Sequence, residues 1–365
     1  KYLKSNKILN KKIQIEIDKK INNKIDSSFE LALNAKKPES NESKEINDVF
    51  KPYSFKQKTA NDKGDEQRYV DSISNTLKEI MKKDKNAIIM GQDVCEYGGV
   101  FKITKDFFKE FGSDRIRNTP IIESGILGAS VGLALEGFKP IVEMQFADFV
   151  SCGFNQIINN IAKTHYRWNE ALNITIRMPY GGGMSAGPFH SQSPEAWFFH
   201  TPGLKIVAPS TPYDAKGLLN SSIEDPNPVL YFEHKYMYRS IKDFVPKDEF
   251  NIEIGKAAIK KTGNDLSVIT YGMGVHWILN ISDKLEDQGI SIEIIDLRSL
   301  IPWDKDLVKK SISKTNRALI LHEANLTGGI GAEISAYISE YCFQDLDAPV
   351  MRLGAIDTPI PFADK

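Results

Sequence analysis

Apolar residues recur every fourth position near the start of the chain, at Ile13, Ile17, Ile21, Ile25, Phe29 and Leu33, among lysines and acids. That spacing predicts one long amphipathic helix, stopped by Pro38, with one face that must pack on something. From Pro38 to Gln67 the chain turns polar and reads as an exposed linker holding a domain boundary. Next comes a helix with Val70, Ile73, Leu77 and Ile80 on one face, then the short apolar strand Ala87 to Met90. Further strands are predicted at Ile141 to Phe146, Ile174 to Met178, Leu204 to Ala208 and Val229 to Phe232, each beside a helical stretch. Short apolar strands between helices predict a parallel sheet buried on both faces. After a polar patch at Pro246 to Glu253 the alternation resumes, with strands near Leu266 to Tyr271, Ile292 to Ile295, Ala318 to Leu321 and Val350 to Leu353. The expected fold class is therefore α/β. Two doubly wound domains, residues 68–245 and 246–365, follow a helical tail and linker at residues 1–67.

Composition narrows the partners more than the fold. A chain of 365 residues, 41% hydrophobic and 26% charged, can bury a sizeable core. The net charge of -1 and pI of about 6.7 give no overall electrostatic case for nucleic acid or an anionic membrane. Small, weakly charged ligands fit better. Cys95, Cys152 and Cys342 are far apart and form no CxxC pair, which argues against a disulfide scaffold or a zinc site and for a reducing compartment. The longest apolar run, Gly125 to Leu135, is too short to cross a bilayer, and the basic N-terminus lacks the apolar core of a signal peptide. A soluble protein is expected. A first residue that is lysine and a turn-like Pro361 to Lys365 suggest a fragment.

Chemistry concentrates in two segments. In Thr119 to Gly128 a single carboxylate, Glu123, sits among apolar residues where a strand-like segment gives way to a glycine-spaced helix. Desolvation there would raise its pKa and suit it to share a proton near neutral pH, although an acid favoured by the helix macrodipole is the simpler alternative. In the second segment, Gly181, Gly183 and Ala186 formally match a dinucleotide fingerprint, but Pro188 and Pro194 interrupt the helix such a site requires. A mobile or ligand-lining loop is expected instead. It delivers His190 to the mouth of a glycine-rich turn, where a histidine can titrate and reach substrate. His165, His200, His234, His276 and His322 show no metal-ligand spacing and suit structural or exposed roles.

At this point the residues take on a family likeness. Gly91 to Val94 with Tyr97 to Phe101, Asn118 to Glu123, Gln145 to Phe149, His190 to Ala196, Pro202 to Val207 and Asp214 to Leu219 resemble, in order, the β-type half of the decarboxylating component of 2-oxo acid dehydrogenase complexes. The likeness continues through Asp296 to Arg298, Ile301 to Asp304, His322 to Ala324 and Asp357 to Pro359. It implies a pyrimidine-binding domain, a transketolase-like C-terminal domain and thiamin diphosphate as cofactor. Glu123 matches the glutamate that bonds the aminopyrimidine ring and promotes the tautomer removing the thiazolium C2 proton. Phe149 matches an aromatic packed on the pyrimidine, with Gln145 on the same strand end. His190 matches the histidine that assists acyl transfer to the lipoyl disulfide. The resemblance also places a monovalent cation, potassium, at Ile174, Ser222, Asp225 and Asn227.

Two departures qualify the likeness. No Gly-Asp-Gly motif for magnesium and diphosphate occurs, so the chain holds half of a cofactor site, and Gln92 replaces the glutamate common at its position. Residues Ile13 to Phe50 resemble the tail of an α-type half, which suggests the C-terminal piece of a fused chain. The implied partners are the α-type half, a second copy in a two-fold assembly, a lipoyl-bearing acyltransferase core and a small 2-oxo acid, with no nucleic acid or membrane. The likeness is nearest the branched-chain (2-oxoisovalerate) group. A pyruvate dehydrogenase β-type subunit, a transketolase or deoxyxylulose-phosphate synthase-like enzyme and a non-catalytic binding subunit stay open. The implied location is cytoplasmic in a bacterium, and the mitochondrial matrix or plastid in a eukaryote.

Overall fold

The computed structural model describes residues 1–362. The first compact unit, Lys1–Ile46, contains the helix Lys11–Asn34, whose start is capped by the Asn10 side chain accepting from the Ile13 amide (2.9 Å). The predicted stripe is present, and Ile13, Ile17, Ile21, Ile25, Phe29 and Leu33 are all exposed.

The second unit, Asn47–Lys365, carries the strands. In chain order these are Asp65–Arg68 (β1), Ala87–Gly91 (β2), Ile116–Asn118 (β3), Lys139–Glu143 (β4), Thr175–Tyr180 (β5), Lys205–Val207 (β6) and Val229–His234 (β7). Lys242–Val245 (β8), Ala258–Lys261 (β9), Leu266–Thr270 (β10), Ile292–Asp296 (β11), Ser299–Ile301 (β12), Ala318–Asn325 (β13) and Met351–Ala355 (β14) follow. A seven-stranded sheet has the order β12-β6-β7-β5-β4-β2-β3, and a five-stranded sheet the order β14-β13-β10-β11-β9. β1 and β8 form a separate antiparallel ribbon.

The predicted apolar runs became strands because both faces are covered: β2, β5, β7 and β11 are buried at every position. One face of the larger sheet (Ile89, Ile141, Val229, Tyr231) packs against the helices Tyr69–Lys83 and Pro212–Glu224. Its other face (Met90, Val142, Ile176, Met178, Leu230, Phe232) joins Ile269, Ile295, Leu300 and Ile320 of the C-terminal region in one core.

One expectation changes. The sheets are not wholly parallel, because β9 pairs antiparallel with β11 and β12 antiparallel with β6. Ser299 to Ile301 thus leave the region of the smaller sheet to edge the larger one. Too short for a periodic signal, that strand could not be seen beforehand. The polar patch 246–253 is not free of the first core either, since Phe250 and Ile252 are buried in it. The stretch after Asn47 is likewise held down: Asn227 bridges the Lys51 backbone, and Asn251 accepts from the Lys58 amide (2.7 Å) and donates to the Lys56 carbonyl (2.9 Å).

Across the centre of the larger sheet lies Arg177 of β5, wholly buried. It donates to Glu233 of β7 through Nε and Nη2 (2.7 and 2.8 Å) and to Glu143 of β4 through Nη1 (2.6 Å). The Tyr238 hydroxyl completes Glu233 (2.7 Å). Burial pushes the Glu143 carboxyl up despite its partner, and the two carboxylates hold Arg177 charged. Replacing Arg177→Met leaves two buried acids unpaired and should cost about 3–5 kcal/mol in urea unfolding, whereas converting all three residues to apolar ones of similar volume should recover most of it. A loss below about 1 kcal/mol for the single change would show that the triad does not hold these strands.

Candidate active site

The C-terminal ends of β2, β3, β4 and β5 converge on one edge of the larger sheet. β2 lies between β3 and β4, so the chain leaves it to one side and returns on the other, the kind of switch where α/β sheets open a crevice. Gln92 follows β2 directly. Glu123 opens the helix Glu123–Leu135 after β3, is 8% exposed, and accepts from Gln92 Nε2 at its Oε1 (3.1 Å). A carboxylate in a first helical turn is favoured by the orphan amides and the macrodipole. Gly153 lets the next turn lie on this helix, since a Cβ there would stand 2.3 Å from Leu127.

After β4 the chain makes a tight turn, Ala147–Gly153, that sets Phe146 and Phe149 side by side. Both rings meet His190 edge-on, at 4.7 and 5.4 Å between centroids. Gln145, on the same strand end, donates to Asp93 (3.2 Å), the neighbour of Gln92. Glu123, Gln145, Phe149 and His190 therefore occupy one edge of one sheet. The glycine-rich run forms a loop and not a nucleotide-binding helix start: residues 181–192 leave β5 and close on themselves where the Gly181 amide donates to the Gln192 carbonyl (3.1 Å). On its outer side the loop borders a cleft of about 850 Å³ lined by Phe189, Gln192, Trp197, Glu323, Thr327 and Asp357.

Ile174, Ser222, Asp225 and Asn227 also gather, but at the opposite, N-terminal edge of the sheet. There the Ile174 carbonyl accepts from Val229 (2.9 Å) and the Ser222 carbonyl from the Thr175 hydroxyl (3.2 Å). Asp225 accepts from the Asn227 amide and side chain (both 2.9 Å) and pairs with the Lys205 ammonium. A protein cation already faces that carboxylate.

Residue patterns gave no place in the site to several buried polar groups behind it. His234 ends β7 and pairs with Glu323 of β13. Lys235 is 2% exposed with no hydrogen-bond partner on Nζ; burial pushes it down to about 8, with Asp148 and Glu323 opposing. Glu195, fully buried, takes the Tyr271 hydroxyl (2.5 Å). Glu323, Asp148 and Glu195 all lie within the segments that carry the family likeness, but only the fold shows them meeting. His165, His276 and His322 hydrogen-bond to backbone carbonyls inside the fold, in structural roles.

An acceptor carboxylate and a donor amide beside a pair of aromatic rings suit the edge and faces of an aminopyrimidine. Among the described residues no group of three or more His, Cys, Asp or Glu could hold a metal. Residues 65–240 match the transketolase pyrimidine-binding domain and residues 255–365 the transketolase C-terminal domain. The 2-oxoisovalerate dehydrogenase subunit beta of Bacillus subtilis is 48% identical over 298 residues, 81% of this chain and 91% of that protein. The chain belongs to the β-type subunits of the thiamin-diphosphate-dependent 2-oxo acid dehydrogenases. The pyruvate dehydrogenase E1 component subunit beta of Staphylococcus aureus is 45% identical over 80% of the chain and 91% of its own length. The mitochondrial 2-oxoisovalerate dehydrogenase subunit beta 2 of Arabidopsis thaliana is also 45% identical, over 80% and 82%. In fold the chain resembles a split-gene transketolase solved as an inactive β4 tetramer, with a TM-score of 0.67, 23% identity and coverage of 81% and 91%. The expected family and fold class thus stand, and no helix among the described residues is long and apolar enough to cross a membrane.

Burial pushes the carboxyl of this β-type chain's Glu195 up to about 7, with Glu323 adding to the shift and the Tyr271 bond opposing it. A folded pKa above the unfolded value of about 4.3 means that the folded state binds more protons in between, so this group's contribution to stability is present below pH 4 and is lost as pH rises toward 7. Glu195→Gln should abolish that loss, on the order of 3 kcal/mol, in unfolding free energies compared at pH 5 and pH 7.5. An unchanged slope would place the effect elsewhere.

Proposed function

We propose that this chain holds the pyrimidine end of thiamin diphosphate and passes the acyl group of a branched-chain 2-oxo acid, 2-oxoisovalerate above all, to a lipoyl disulfide. The observation that carries this reading is the buried Glu123 carboxylate, bonded by Gln92 on the sheet edge that also presents Phe149 and His190. The enzyme class is that of the acyl-transferring, lipoamide-dependent 2-oxo acid dehydrogenases, and the reading makes it 3-methyl-2-oxobutanoate dehydrogenase. The 48% identity to a 2-oxoisovalerate dehydrogenase subunit supports that choice, and the 45% identity to a pyruvate dehydrogenase subunit makes pyruvate the second reading.

Bound thiamin diphosphate supplies the nucleophilic carbon and the electron sink that decarboxylation needs. Glu123, its Oε1 fixed by the Gln92 amide, would hold and return a proton for the pyrimidine ring. Phe149 would pack on the bound ring, and Phe146 covers one side of the His190 ring. The His190 ring donates a proton to the sulfur that leaves when the lipoyl disulfide opens. We assign magnesium and the diphosphate to an α-type half, fused or separate, without which the chain is inactive. The active assembly is two-fold, served by a lipoyl-bearing acyltransferase core in the bacterial cytoplasm or a eukaryotic organelle matrix. Potassium at Ile174, Ser222, Asp225 and Asn227 would share Asp225 with Lys205.

With the α-type half present, Glu123→Gln should abolish decarboxylation. His190→Ala should depress acylation of a lipoyl domain far more than decarboxylation read with an artificial electron acceptor, and equal loss of both would refute its role. Rates with 2-oxoisovalerate, pyruvate and 2-oxoglutarate should rank in that order. Faster turnover of pyruvate would overturn the substrate assignment.

A further inference from the structure

We propose that Glu323 and Asp148 are positioning residues that pin the two ends of the loop 181–192 and so hold His190 where the acyl transfer takes place. The inference deepens the reading of His190 given above and rests on it. At the first end, Glu323, projecting from β13 of the C-terminal region, accepts the Gly182 amide on Oε1 (2.6 Å). At the other end Asp148 accepts the Gln192 amide on Oδ1 (3.0 Å). Between them the loop closes on itself through Gly181 and Gln192.

The Glu323 carboxylate is held at both oxygens. His234 binds Glu323 on its second oxygen, and burial, which alone would push that carboxyl up, is outweighed by His234, the Gly182 amide and the charge of Lys235, so that it stays ionised. Asp148 is 4% exposed and sits in the turn that also carries Phe149, directly after the strand end bearing Phe146. A single turn therefore sets both the aromatic wall that meets the His190 ring and the anchor of the loop that delivers it. Lys235, buried among Asp148, Glu323 and the Phe146 ring, supplies positive charge to both anchors without bonding either.

The glycine run now has a physical cause. Gly181 has φ +88°, and a Cβ on it would stand 2.2 Å from His234 Nε2, so only glycine allows His234 to lie under the loop and hold Glu323. A Cβ on Gly182 would stand 3.3 Å from Glu323 Oε1, crowding the carboxylate that its amide serves, and Gly183, at φ +82°, lies on the Tyr236 ring. The run is shaped for a hydrogen-bonded base.

The test uses the assembled enzyme with its α-type half and thiamin diphosphate. Glu323→Ala should speed amide exchange across residues 181–192 by at least about ten-fold while leaving β10 and β11 protected. It should lower lipoyl-domain acylation about ten-fold more than artificial-acceptor decarboxylation, and Glu323→Gln, which keeps an oxygen for the Gly182 amide, should restore most of both. In the double variant Glu323→Ala/His190→Ala, acylation should be no slower than in His190→Ala alone, because the anchor acts through that ring. Asp148→Ala makes the same comparison at the other end should Glu323→Ala not assemble. Unchanged exchange in the loop, or fully additive losses in the double variant, would overturn the proposal. A His190→Ala enzyme that acylates normally would defeat the role of His190 and leave the exchange result to decide the anchoring.

Discussion

A guanidinium sealed between two carboxylates fixes the centre of this molecule. Arg177, Glu143 and Glu233 stand on three adjacent parallel strands, and their bonds can form in only one register. A slip of one residue would turn each side chain to the opposite face and strand three charges in apolar surroundings. The register matters because the site is built on strand ends: where β4 and β5 stop decides where Phe146, Phe149 and the loop to His190 begin. The charged side chains thus act less as a source of net stability than as an alignment device for the crevice above them.

Much of this was legible beforehand because its causes are local. Strands buried on both faces betray themselves as short apolar runs, and the helix Tyr69–Lys83 as a periodic one. Glu123 stood out as a lone carboxylate among apolar neighbours, and the fold puts it where a lone carboxylate is favoured, in a first helical turn. His190 was marked by its place after the glycine-rich turn, Gln145 and Phe149 came by resemblance, and the fold gathers all four at one edge.

What escaped the sequence depends on residues far apart in the chain. Glu323 meets Gly182 and His234 only because the smaller sheet lies against the larger one in a shared core. Nothing in a His-Glu-Ala tripeptide signals that. The three-residue β12 could not announce a pairing partner in β6, nor could polar residues 246–253 reveal that Phe250 and Ile252 among them are core. The glycine run misleads for a related reason. Its spacing is shared by phosphate cradles and by tight loop bases, and the difference lies in what approaches the backbone, a ligand in one case and His234 in the other.

The strand that Ser299–Ile301 lends to the larger sheet has an implication for how the protein is made. On the ribosome the first sheet can assemble from β2 through β7, yet its outer edge at β6 stays bare until the chain just past β11 has emerged. During that interval β6 offers unpaired amides and carbonyls to any passing strand, including one from a neighbouring nascent copy. Late capping makes completion of the first sheet conditional on synthesis of the C-terminal region. A polypeptide halted between the two would be left with an adhesive rim, a natural point of recognition for a chaperone.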